Sequence, residues 1–265
     1  NRFSVGIQSF VEADLKFMNR AHNAKEALNS IKHVQDAGWQ NITIDLIYGT
    51  PTLSDKDWGG NMHTAIELGV PHISAYALTV EERTALHHFI EHKKCAPVEE
   101  EKSARQFLQL METLPKANFI QYEISNFGKE DFFSKHNSNY WKGEKYLGIG
   151  PSAHSFNGTD RQWNVASNVR YIQQINQGII PAEKEILSEK QRYNDYILTT
   201  LRTIWGTDSD FVKSRFSNDF GLFLTTSAQK WVDSKYILKK DTILTLNQKG
   251  RLMADHIAAD LFWVD

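Results

Sequence analysis

The sequence predicts an α/β fold, with a parallel sheet built from βα units followed by a small α+β domain of winged-helix-like shape. Three observations carry this. Apolar, β-branched segments at Phe3–Ile7, Ile42–Tyr48 and His72–Thr79 begin about 30 to 40 residues apart, the rhythm of βαβ units. Segments of helical period fill the intervals. Beyond Gly178 the order changes to several helices and then two short strands.

The first helix carries Ala24, Ala27, Leu28, Ile31 and Val34 on one stripe. Asn23 followed by Glu26 makes a capping-box start, and Gly38 supplies the left-handed residue that ends helices. Ser54 with Asp57 opens a second helix holding Trp58, Met62, Ala65 and Ile66, which closes at Gly69. Further helices are expected at Ala85–His92 and Glu99–Leu114. Phe119–Ser125 reads as a strand, Asn126–Trp141 as irregular, and Tyr146–Ile149 as a short strand running into Gly150-Pro151. A helix over Ser167–Gln177 leads to a boundary near Gly178–Glu185, dividing the chain into domains 1–180 and 181–265. The second contains helices at Glu189–Ile204, Asp210–Phe216 and Leu222–Asp233. Strands at Tyr236–Leu238 and Ile243–Leu246 and a helix from Asn247 complete it.

Composition excludes several classes. The 265 residues are 41% hydrophobic and 23% charged with a net charge of −2, ordinary for a soluble globular chain and without the basic field of a nucleic-acid binder. Residues 185–265 hold 11 Lys+Arg against 11 Asp+Glu, so the winged-helix-like part is neutral and offers little attraction to phosphates. No apolar run is long enough to span a bilayer, and no signal peptide opens the sequence. The single cysteine, Cys95, forms no internal disulfide and suits a reducing cytoplasm.

Polar residues at strand ends are the first candidates for chemistry. Gln8 follows the first strand. Asp45 sits inside the second, where alternation puts Thr43, Asp45 and Ile47 on one side and Ile44 and Leu46 on the other. A carboxylate in an apolar strand is costly unless it is paired or serves a ligand. Arg20, in the loop after the first strand, offers a planar fork for a carboxylate. Two readings stand: a structural Arg20–Asp45 pair, or two groups aimed at a ligand. His136-Asn137-x-Asn139-Tyr140-Trp141 likewise has two readings, a haem ligand flanked by aromatic rings or a turn with a core tryptophan. In the cluster of His87, His88 and His92, the last two share a helix face as some zinc sites do, but no third ligand of compatible spacing is evident. Gly148-x-Gly150 and Gly49-Thr50-Pro51 lack the rest of any phosphate-binding fingerprint.

Six motifs in order extend the argument. They are Gly6-Ile7-Gln8-Ser9-Phe10, Arg20-Ala21-His22, Asp45-Leu46-Ile47-Tyr48-Gly49-Thr50-Pro51, Tyr122-Glu123-Ile124-Ser125-Asn126-Phe127, His136-Asn137-Ser138-Asn139-Tyr140-Trp141 and Gly148-Ile149-Gly150-Pro151-Ser152-Ala153-His154-Ser155. Together they resemble the radical SAM family of oxygen-independent coproporphyrinogen III oxidases and HemW-type haem chaperones, from Arg2 to the C-terminus. The resemblance implies the C-terminal portion of a partial (β/α) barrel that binds S-adenosylmethionine beside a [4Fe–4S] cluster. It implies Gln8, Arg20, Asp45, Thr79 and His154 at the S-adenosylmethionine site and His136 at haem. It also implies haem or a porphyrinogen as the molecule handled. The haem-chaperone branch, with a haem-receiving client protein, is favoured by His136-Asn137-x-x-Tyr140-Trp141; the alternative is oxidative decarboxylation of coproporphyrinogen III propionates.

The family's cluster is held by a CxxxCxxC motif on an early strand, and that motif and the first three βα units are not in this sequence. One thiolate cannot hold a cuboidal cluster. The chain by itself is therefore expected to leave S-adenosylmethionine uncleaved, and product analysis that detects 5′-deoxyadenosine would overturn this.

Overall fold

The computed structural model describes residues 1–264 and divides into two compact units, 1–133 and 134–265. In the first, the elements are β1 (Phe3–Gln8), α1 (Glu12–Phe17), α2 (Ala24–Asp36), β2 (Ile42–Tyr48), α3 (Asp55–Glu67), β3 (His72–Ala77), α4 (Ala85–Glu91), α5 (Glu100–Lys116), β4 (Ile120–Glu123) and β5 (Asn126–Gly128). The Asn23–Glu26 capping box forms as the sequence predicts, and Ser54 caps α3 through the Asp57 amide.

Five strands make one sheet in the order β1-β2-β3-β5-β4. The first three run parallel, as the βα rhythm requires, and β5 runs antiparallel to both neighbours. Phe119–Ser125 is thus not one strand. The Glu123 carboxylate accepts from the Ser125 amide at 3.0 Å and from Asn126 Nδ2 at 2.7 Å, and the chain folds back there into a hairpin.

The period-two alternation of strands separates the faces of this sheet. Ile42, Ile44, Leu46 and Tyr48 of β2, with Ile7, Ile73 and Ala75, are buried in one cluster with Ile31 of α2, Trp58 and Met62 of α3, and Phe107, Leu110 and Leu114 of α5. The indole N–H of Trp58 donates to the Gln106 carbonyl at 2.9 Å, so the largest core side chain leaves no polar atom unpaired. Burial pushes the Tyr48 hydroxyl above its usual range.

The second unit begins with α6 (Lys135–Trp141), where the sequence predicted irregular chain; Ser134 caps it by accepting from the Asn137 amide at 3.2 Å. Then β6 (His154–Phe156), β7 (Asp160–Asn164), α7 (Asn168–Asn176) and β8 (Ala182–Ile186) follow, with β6-β7-β8 an antiparallel sheet. The expected strand Tyr146–Ile149 is a single bridge between Tyr146 and Phe156, because the Gly148 amide turns to the Ser155 hydroxyl at 2.9 Å. Residues near the expected 180/181 boundary are tied in by β8, whose five residues pair along β7; the compact units instead meet at 133/134.

The remaining elements are α8 (Glu189–Leu201), β9 (Thr207–Asp208), α9 (Ser209–Arg215), α10 (Asn218–Asp233), β10 (Ile237–Lys240), β11 (Ile243–Leu246), α11 (Gln248–Leu252) and α12 (Ala254–Asp260). The β10–β11 hairpin adds β9 as a third strand, close to the helices-then-hairpin pattern of the sequence. Tyr193, Ile197, Leu224, Ile237, Leu244 and Ile257 are buried here, and Tyr193 donates its hydroxyl to the Leu261 carbonyl at 3.0 Å. Among the described residues no helix is long and apolar enough to cross a membrane.

Candidate functional site

The sheet face opposite the helices is lined by polar residues. Parallel register sets Asp45 beside Ser74, Thr43 beside His72 and Ile47 beside Tyr76. Antiparallel register continues the row from Ser74 to Asn126, and Asn126 to Glu123. Ser74 donates to Asn126 Oδ1 at 3.1 Å, and Glu123 accepts from Asn126 Nδ2. Asp45, Ser74, Asn126 and Glu123 therefore run across four adjacent strands as one polar row.

Gln8 and Arg20 join that row at Gly6. A Cβ at Gly6 would lie 2.8 Å from Gln8 Nε2, 3.9 Å from Asp45 Oδ2 and 4.0 Å from Arg20 Nη2. The ends of the three side chains meet beside Gly6, where a Cβ would displace the Gln8 amide. No Arg20–Asp45 ion pair forms among the described residues, which corrects the structural-pair reading. A carboxylate and a guanidinium that face one space without joining remain available to a ligand.

Local structure holds Gln8 in place. The β1–β2 register shifts between Val5 and Gln8, and Gln8 has φ 65°, a left-handed conformation that costs a residue with a side chain of order 1–3 kcal/mol. The following turn is pinned from outside. Asn61 of α3 accepts from the Phe10 amide at 2.9 Å and donates to Ser9 Oγ at 3.0 Å, and His22 Nε2 lies 3.0 Å from the Ile7 carbonyl. His22 also sets the loop in which Arg20 sits.

Burial pushes the Asp45 carboxyl above its ordinary value, opposed in part by the neighbouring Ser74 hydroxyl. The Tyr76 hydroxyl is raised chiefly by burial, with Asp45 and Glu123 adding negative charge. Lower on the same face, His72 Nε2 is 2.8 Å from the Tyr122 hydroxyl, and burial drives its imidazole down to about 3, so it is neutral at physiological pH.

Of the other sequence candidates, Thr79 lies exposed two residues past β3, at the edge where the parallel strands end. His154 and His136 belong to the second unit. His154 opens β6, exposed, with its ring 6.3 Å from Trp163. Its backbone explains a glycine in the sixth motif, since a Cβ at Gly148 would lie 2.2 Å from the His154 carbonyl oxygen. His136 is exposed on the first turn of α6 and packs edge-on against Tyr140 at 5.0 Å. Ser134 caps the helix. Ser74, Tyr76, Glu123 and Asn126 went unremarked as site residues in the sequence, although His72-Ile73-Ser74-Ala75-Tyr76-Ala77 alternates polar and apolar positions as Asp45 and its neighbours do.

A guanidinium, a carboxylate and an amide end within 4.0 Å of where a Cβ would stand at Gly6, donor and acceptor types that match the carboxylate and hydroxyls of S-adenosylmethionine. A [4Fe–4S] cluster does not fit the residues of this chain. Cys95 is the single thiol, and no group of three or more metal-ligating side chains occurs among the described residues.

No family model matches the chain. It is 29% identical over 263 residues to the haem chaperone HemW of Bacillus subtilis, covering 97% of this chain and 68% of that protein. It is 36% identical over 156 residues to HemW of Escherichia coli, covering 58% of this chain and 40% of that one. In structure it resembles the radical SAM enzyme coproporphyrinogen III oxidase (HemN) of Escherichia coli, with a TM-score of 0.78 at 17% identity. That match covers 99% of this chain and 64% of the enzyme, so the chain spans about two thirds of the length of these proteins where it aligns throughout.

The raised carboxyl gives a pH signature. Because the folded Asp45 titrates above its unfolded value, the native state holds its proton longer, and stability falls as pH rises through that interval. Asp45→Asn removes the cost of ionising there. The variant is expected to resist urea better than the parent at about pH 7 and to lose that advantage near the ordinary carboxylate pKa of about 4; equal denaturation midpoints at both pH values would contradict it.

Proposed function

We propose that this chain, similar to HemW throughout and to HemN in fold, is part of a radical SAM haem chaperone whose first unit supplies one wall of an S-adenosylmethionine site. The observation that carries the reading is the convergence of Gln8, Arg20 and Asp45 on Gly6. Arg20 takes the amino-acid carboxylate through its fork. Asp45 accepts from ribose hydroxyls, and the Gln8 amide both donates and accepts beside it. Thr79 contacts the adenosyl portion in this reading. S-adenosylmethionine bound to a cluster supplies a radical precursor; the residues here bind and orient, and the cluster's ligands come from outside this chain.

In the second unit, His136 is the proposed axial ligand to haem, its edge-on contact with Tyr140 setting the ring direction. Its exposure on α6 leaves it accessible to a bulky planar ligand. The His136-Asn137-x-x-Tyr140-Trp141 string favours haem delivery to a client protein over decarboxylation of a porphyrinogen. A cytoplasmic location accords with one unpaired cysteine.

Both sites are open to titration in the full-length protein. Asp45→Asn is expected to weaken S-adenosylmethionine binding by about 10- to 100-fold, the worth of a hydrogen bond to a charged group, while leaving haem binding intact. His136→Ala is expected to shift or abolish the Soret change on haem addition and to spare S-adenosylmethionine binding. An unchanged Soret titration in His136→Ala would remove the axial-ligand role, and unchanged calorimetric affinity in Asp45→Asn would remove the S-adenosylmethionine role.

A further inference from the structure

The second unit contains a cavity of about 430 Å³ between α6, the β6–β7 sheet, α8 and α9, within the size range of small-molecule sites. One wall is a run of rings. Tyr140 meets Tyr146 edge-on at 4.8 Å, Tyr146 lies 6.2 Å from Phe156, and Tyr196 stacks on Phe211 at 4.7 Å. Four cations, Lys142, Arg161, Arg192 and Arg215, face two carboxylates, Glu144 and Asp195. The balance is uneven in a specific way. Arg161 is already neutralised by Asp195 at 2.5 Å. Arg192 and Arg215 have no ion pair or side-chain hydrogen bond among the described residues.

Two donors lining this space are buried and empty-handed. Arg192 Nε and Trp141 Nε1 are both shielded from solvent with no acceptor for their protons among the described residues. Buried N–H groups in native proteins are nearly always paired, and two left unpaired beside one cavity point to an acceptor that comes from outside the chain. The acceptor must be an anion to match Arg192 and Arg215, and a flat apolar body must accompany it to match the rings.

We propose that this cavity is a binding site for a planar aromatic carboxylate, its acid group held by Arg192 with the Trp141 indole and its ring against the Tyr140–Tyr146–Phe156 wall. The site does not rest on haem ligation, since His136 is not among its lining residues.

The test uses 1-pyrenebutyrate on the full chain, followed by tryptophan quenching, with 1-pyrenebutanol as the uncharged match. The acid is expected to bind one-to-one and about tenfold or more tighter than the alcohol. Arg192→Met is expected to erase that preference without lowering the melting temperature, because Arg192 holds nothing within the chain. His136→Ala is expected to leave acid binding unchanged, which separates this site from the haem reading. Equal affinity for acid and alcohol, or a preference that survives Arg192→Met, would overturn the proposal. So would Arg192→Met losing stability and binding together, the mark of a structural arginine. Competition by metal-free mesoporphyrin IX would assign the site to the acidic edge of a macrocycle, and lack of competition to a smaller aromatic acid; each supports a carboxylate site.

Discussion

Everything in the first unit follows from a sheet whose two faces are made differently, one apolar and packed on the helices, the other a buried polar row. Ile7, Ile44, Leu46, Tyr48 and Ile73 meet Trp58, Met62, Phe107 and Leu110, and that contact fixes the register of β1, β2 and β3. A slip of one residue would send Asp45 into the helix layer and Leu46 to the polar face, burying a carboxylate among side chains that offer it no partner. Fully burying a leucine or isoleucine side chain contributes about 1.5–3 kcal/mol, so the apolar face sets the register and the polar face inherits its alignment. Asp45, Ser74, Asn126 and Glu123 lie in one row because the residues on either side of them cannot lie anywhere else.

The convergence at Gly6 adds a second constraint, imposed by the turn after β1. A register shift followed by a left-handed Gln8 is an unfavourable way to end a strand. It persists because the chain beyond is held from several directions, by Asn61 at Ser9 and Phe10 and by His22 at Ile7. The conformation aims the Gln8 amide back across Gly6 toward Asp45 and Arg20. Strain held by surrounding contacts at a point where polar groups meet without pairing is the pattern of a binding site rather than of a fold-stabilising element.

The sequence made the βα rhythm legible because parallel strands buried on a helix layer carry dense apolar residues, and because Asn23–Glu26 and Ser54–Asp57 mark helix starts through local hydrogen bonds. It also exposed Asp45, since a carboxylate among isoleucines contradicts its surroundings. It did not reveal the β4–β5 hairpin, because the turn at Ile124–Ser125 contains neither Gly nor Pro and is made by the Glu123 side chain. The helix over Lys135–Trp141 was hidden by its composition: Asn, Ser and His are poor helix formers, and the Ser134 cap with tertiary packing overrides that preference. The β6-β7-β8 sheet escaped for a similar reason. Its strands are short and polar, with Asp160, Arg161, Glu183 and Lys184 in a ladder that gives no apolar alternation.

That last failure bears on how the two units differ. In the first, polar chemistry is confined to one side of a sheet whose other side is a hydrophobic core, so each functional residue stands out against an apolar background. In the second, charge and aromatic rings are interleaved. Arg161 on β7 reaches Asp195 on α8, while Arg192, one helical turn earlier and on the same face, has no ion pair among the described residues and a buried Nε without an acceptor there. A purely structural role would have given Arg192 a carboxylate as well, because leaving a buried donor unmet costs about 1–3 kcal/mol and Asp195 shows that the helix can carry one there. The asymmetry between two arginines on one cavity wall is therefore chemical information. It marks which cation serves the fold and which is held in reserve for a ligand.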